Sequence, residues 1–207
     1  LESSQFPATN RKPILKENVQ YAYRYARNDY QLPLTIIRKD PAATAETRHG
    51  LVVKSARVEV ATKYHIDLAA TPRSRVSVLL PENYVVLDVQ ATELQDWYQT
   101  FSADDDRLLI VEFPRVLSGK LEIALKGYLR KEPMDELAEV ILPTLLEMSQ
   151  DKTQMAIWET GSDQLSIDEI DGWNAINPRE LPAELLTLQN RIPDFAFEAT
   201  QILDRYL

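Results

Sequence analysis

From Arg57 to Leu68 the chain reads RVEVATKYHIDL, placing Val58, Val60, Tyr64, Ile66 and Leu68 on one side and Arg57, Glu59, Lys63, His65 and Asp67 on the other. A period of two is what a strand with one buried and one wetted face requires. The same rhythm returns in RVSVLLP at 75–81, through Val76, Val78 and Leu80, with Pro81 where no ladder hydrogen bond is lost. YVVLDVQA at 84–91 is rich in β-branched residues.

LLIVEF at 108–113 runs through PRVLSG into KLEIALKGYL at 120–129, which predicts a hairpin. QMAIWETGSDQLSIDEI at 154–170 predicts a second, with Gly161 and its polar neighbours as the turn. VQYAYRY and LPLTIIR, upstream, read as two more strands. Helix signals are few. Asn177 followed by Pro178 is a cap and first-turn pair that opens a short helical segment near 178–190, which Pro182 keeps short. Pro143 falls where a helix over 134–148 needs a backbone donor, so that stretch reads as a turn and then a strand.

Many short strands with few crossover helices predict an all-β, mainly antiparallel, β-sandwich-like fold with that one helical segment. The charged stretch RKEPMDE at 130–136 suggests a division into a main module over 13–131 and a smaller β-rich part over 132–192 that packs on it or completes it. The final segment, PDFAFEATQILDRYL, resembles the chain's own beginning. FPA at 6–8 answers LPA at 181–183, YAY at 21–23 answers FAF at 195–197, and Tyr30 answers Tyr206, at offsets of 175, 174 and 176 residues. The same strand beginning twice predicts a tandem array of domain-sized units, with 193–207 as the first strand of a following repeat.

A length of 207 residues allows a sizeable core, and 44% hydrophobic with 27% charged residues is a globular balance. No apolar run approaches the roughly 18 residues of a spanning helix, and the N-terminus shows no signal-peptide pattern. A net charge of −9 opposes nucleic-acid binding, because phosphate recognition needs clustered cations. The absence of cysteine removes disulfides, thiolate nucleophiles and cysteine-based metal sites.

The two histidines, His49 in TRHGL (read as a turn) and His65 on the polar face of the long strand, have no partner at ligand spacing, so surface roles are expected. Neither a nucleophile elbow nor a phosphate-cradling glycine loop is present, so no cofactor and no catalytic residue is expected. Asp104, Asp105 and Asp106 are candidate Ca²⁺ ligands by chemistry. Adjacent residues converge badly on one ion, however, and a solvated turn is the competing reading.

Tyr21, Tyr23 and Tyr25 share one strand face. They serve either as a core face or, with Trp97, as a flat aromatic surface for a polysaccharide or a protein. Tyr98, Trp158 and Trp173 read as core anchors beside Trp97. The function expected is a non-catalytic module of a larger, extracytoplasmic bacterial protein, acting as a structural or adhesion scaffold with neighbouring repeats. A binding module using surface aromatics is the alternative, and a glycan-active enzyme with a carboxylate pair stands behind both.

Overall fold

The computed structural model describes residues 43–130, 140–160, 165, 167 and 172–202, with the side chains of 200–202 left out. The strands are β1 (Ala43–Lys54), β2 (Arg57–Asp67), β3 (Arg73–Leu79), β4 (Tyr84–Ala91), β5 (Asp96–Phe101) and β6 (Arg107–Leu117). They continue with β7 (Lys120–Arg130), β8 (Thr144–Leu145), β9 (Met148–Glu159), β10 (Asn174–Ala175) and β11 (Phe195–Ile202). A 3₁₀ turn, Pro178–Glu180, and the one-turn helix α1, Ala183–Leu186, stand between β10 and β11.

Seven strands form one sheet in the order β10-β11-β9-β1-β2-β7-β4, and four form a second in the order β5-β6-β3-β8. Among the described strands every pairing is antiparallel except β1 with β9. The all-β, mainly antiparallel fold is therefore as the alternation implied. Strands β9 and β11, which follow the charged stretch at 130–136, lie in the same sheet as β1.

The period of two in β2 becomes a burial pattern. Val58, Val60, Tyr64, Ile66 and Leu68 are buried, while the alternate positions from Arg57 to Asp67 are half-buried or exposed. Opposite them, Val76, Val78 and Leu80 from the β3 region and Leu109, Val111 and Phe113 from β6 join the same core cluster. Two twisted sheets thus close on one apolar layer, at about 1.5–3 kcal/mol per fully buried large side chain.

One hairpin is not formed. Strands β6 and β7 follow each other through Ser118 and Gly119 but belong to different sheets: Leu117 lies opposite Arg73, and Lys120 opposite Asp67. Gly119, at φ 83°, supplies the left-handed residue of this corner, and its carbonyl accepts the Leu68 amide at 2.8 Å. Turn chemistry fixes a sharp reversal but not the partner. Strand β7 instead matches β2 over its whole length, from Arg57 opposite Arg130 to Asp67 opposite Lys120.

At the other end of the small sheet, the Arg107 guanidinium donates to the carbonyls of Glu82 and Tyr84, each at 2.9 Å, and to Gln99 Oε1 at 2.6 Å. A single cation there ties β6 to the entry of β4 and to β5. Of the second predicted hairpin, the first strand is β9. Its Gly161 turn lies outside the described residues, as do VQYAYRY, LPLTIIR and residues 134–139 of the proposed turn.

The short helical segment falls where its caps placed it. The Asn177 side chain accepts the Arg179 amide at 3.0 Å, and Pro178 opens the turn. This segment packs on the outer face of the large sheet. Leu181 and Leu185 are buried there against Val52, Ala156, Trp158 and Ala196.

Candidate functional site

The outer face of the large sheet is where charged groups converge. Ladder register sets Ala196, Ala156, Gly50 and Ala61 side by side across β11, β9, β1 and β2, and this low row receives the helical segment. A Cβ on Gly50 would stand 2.3 Å from Leu188 Cδ1, so glycine lets the tip of that side chain settle into the row. Trp158 borders the row, fully buried, and its Nε1 donates to the Arg191 carbonyl at 3.0 Å.

Further along the same face, α1 delivers Glu184 to Arg48, Lys63 and His65. Arg48 Nη1 donates to Glu184 Oε1, Lys63 Nζ lies 3.3 Å from Oε2, and His65 Nε2 lies 3.1 Å from Oε1. The far side of the imidazole faces Glu122, with Nδ1 3.5 Å from Oε2. Glu122 also lies 3.4 Å from Lys63.

The Glu184 carboxyl is pulled down to about 2: desolvation raises it, but hydrogen bonds from Arg48, His65 and Lys63 outweigh that. A carboxylate held so firmly ionised has no proton to give near neutral pH, so Glu184 itself is no general acid there. What the arrangement does instead is hold α1 against β1 and β2. Lys152 and Gln154 on β9 hold Glu198 of β11 in the same manner, at 2.7 and 3.0 Å.

His49 is not in a turn. It lies within β1 on the inner face, buried, with Nδ1 2.9 Å from Thr62 Oγ1. Burial lowers its pKa from 6.5 to about 3, so the ring is neutral in the fold. Thr47 and Thr153 are buried beside it on neighbouring ladder positions. The TRHGL stretch resembles a turn only because its glycine serves the outer-face row instead.

Trp97 of β5 is half-buried and packs on the main core, as does Trp173. Tyr98, read as an anchor, is a correction: it is 42% exposed, because its position faces outward, and its hydroxyl donates to Glu112 Oε1 at 3.1 Å. Asp104, Asp105 and Asp106 are all exposed in the β5–β6 turn. Ser102 Oγ accepts the amides of Asp104 and Asp106 at 3.1 and 3.0 Å, and Asp105 takes φ 67°. No group of three metal-ligating side chains forms among the described residues. Tyr21, Tyr23 and Tyr25 lie outside the described residues.

A shallow hollow of about 290 Å³ opens between the β4 and β5 edges, lined by Tyr84, Val86, Gln99, Arg107 and Arg130. The Arg107 guanidinium is already engaged by backbone carbonyls there.

The Arg48 and Glu184 pairing was beyond sequence reasoning: the two residues are 136 positions apart, and neither sits in a local motif. Alternation did place Lys63 and His65 on the right face.

No protein-family model matches this chain, and no curated protein matches it in sequence. Among solved structures, an M1 zinc metallopeptidase from Deinococcus radiodurans overlaps at 13% identity and TM-score 0.40, covering 65% of this chain and 34% of that one. Native leukotriene A4 hydrolase from Saccharomyces cerevisiae overlaps at 7% identity and TM-score 0.46, covering 77% and 27%. The chain thus spans about a third or less of either structure, and overlaps this loose say nothing of activity.

Proposed function

We propose that this chain is a non-catalytic β-sandwich module, a structural or adhesion scaffold within a larger, repeat-containing, extracytoplasmic bacterial protein. The observation that supports this reading is the employment of the charged residues. The densest cluster, Glu184 with Arg48, Lys63 and His65, is closed on itself and fastens the helical segment to the sheet.

Purified protein is expected to leave a panel of chromogenic glycosides unhydrolysed. Turnover that disappears in a folded Glu184→Gln variant would overturn the scaffold reading. In the cell that makes the protein, an epitope tag is expected to be cut by protease added to intact cells. A tag that survives until lysis contradicts the extracytoplasmic placement. A protein-binding role is the second reading, favoured by the exposure of Tyr98 and Phe101 on β5.

A further inference from the structure

Among the described strands the two sheets end in four edges, and they are not alike. Strands β8 and β10 are two residues long. Strand β4 is broken by a bulge between Val86 and Asp88 that throws Leu87 outward and puts a carboxylate on the edge. Short length, bulges and charge are the usual means of keeping an edge from recruiting another strand.

Strand β5 is longer and unbulged, and its only charge is at its first residue, Asp96. Its register with β6 is unbroken from Asp96 opposite Glu112 to Phe101 opposite Arg107. From Trp97 to Phe101 it carries neither charge nor proline, and no described strand pairs with its other side.

The ends of β5 are acidic. Asp96 opens the strand, and Asp104, Asp105 and Asp106 follow it in the turn. None of these four carboxylates forms an ion pair among the described residues, unlike the acids of the outer face.

We infer that β5 is a docking edge for an extended segment of a partner protein, bearing basic residues that flank an uncharged stretch. The partner adds a fifth strand to the small sheet by main-chain hydrogen bonds, which supply affinity without much sequence demand. Its terminal cations meet Asp96 at one end and Asp104 to Asp106 at the other. Side chains that it points inward enter the hollow beside Gln99, and outward ones lie along Tyr98. A second copy of this chain is disfavoured as occupant. Pairing β5 with β5 in either direction brings like carboxylates together at both ends. This inference goes beyond the scaffold reading, and it stands if that reading fails.

The test uses the full chain and two capped synthetic peptides, Lys-Thr-Val-Thr-Val-Thr-Lys and its counterpart with Glu at both ends. The lysine peptide is expected to slow hydrogen exchange of the β5 amides at low ionic strength, and the glutamate peptide to leave them unchanged. Replacing all four acids with asparagine (D96N, D104N, D105N and D106N) is expected to weaken the lysine peptide by about tenfold. The fold should persist, because the turn is held by Ser102 and backbone amides, and asparagine tolerates the left-handed position of Asp105. Circular dichroism checks that point. The inference is overturned by silence from the lysine peptide, by equal protection from both peptides, or by unchanged affinity in the folded variant. It is also overturned by sedimentation showing self-association that protects the same amides without peptide.

Discussion

On the inner face of the seven-stranded sheet, Tyr64, Ile66, Ile123 and Leu125 are fully covered by the smaller sheet. On its outer face a short apolar patch around Trp158 and Leu185 is extended by ion pairs on Glu184 and Glu198. Each face holds a group with a strongly perturbed proton affinity, and for opposite reasons. His49 is kept neutral inside by burial, and Glu184 is kept ionised outside by cations. An apolar interface excludes charge, whereas a half-open one organises it.

The largest effect that separates the faces is acid sensitivity. The folded-state pKa of His49, about 3, lies below its ordinary 6.5. The unfolded chain therefore takes up the proton first, and stability present above pH 6.5 is lost as the pH falls towards 3. For Glu184 the folded value of about 2 lies below 4.5, so its contribution is complete above pH 4.5 and is lost towards pH 2. Urea unfolding monitored by tryptophan fluorescence should therefore show stability already declining between pH 6.5 and 5, above the window of Glu184. His49→Asn should flatten that upper slope. A slope unchanged in His49→Asn would mean that the inner face does not carry the sensitivity.

A glycine-to-alanine change, made once on each face, gives the next contrast. At Gly127 the new Cβ would stand 2.4 Å from the Val85 carbonyl and 2.5 Å from the Tyr84 ring, in a packed layer that cannot yield cheaply. A loss of about 3 kcal/mol is expected, at the upper end of overpacking costs. At Gly50 the obstacle is the tip of Leu188, which is free to swing away, so a loss of about 1 kcal/mol is expected. Equal losses from denaturant titration would erase the distinction between a rigid and a yielding cover.

The smallest effect is that of Glu184→Gln. The pairs around it are partly exposed, so solvent screening limits the cost to about 0.5 kcal/mol, falling as salt is added. A salt-independent loss would instead assign the effect to packing of α1.

Most strands were legible because their period of two records a burial asymmetry residue by residue. Strand β2 and the aromatic strand β11 are both of this kind. The helical segment was legible because Asn177 and Pro178 satisfy a local backbone need. The β6–β7 link was misread because a turn specifies a reversal, while pairing is settled by which strand offers a full-length match. His49 was misread because a glycine suits a trough under Leu188 as readily as a turn.

The sequence by itself determined that this protein is built of strands, which side of each is apolar, and that one capped turn interrupts them. Those properties depend on neighbours a few residues away. Only the tertiary structure decided that β1 runs parallel to β9, that Glu184 meets Arg48, and that no described strand takes up the second side of β5. Each of these joins or separates segments far apart in the chain, and their pairing is fixed by competition among whole strands for partners, a comparison no local pattern contains.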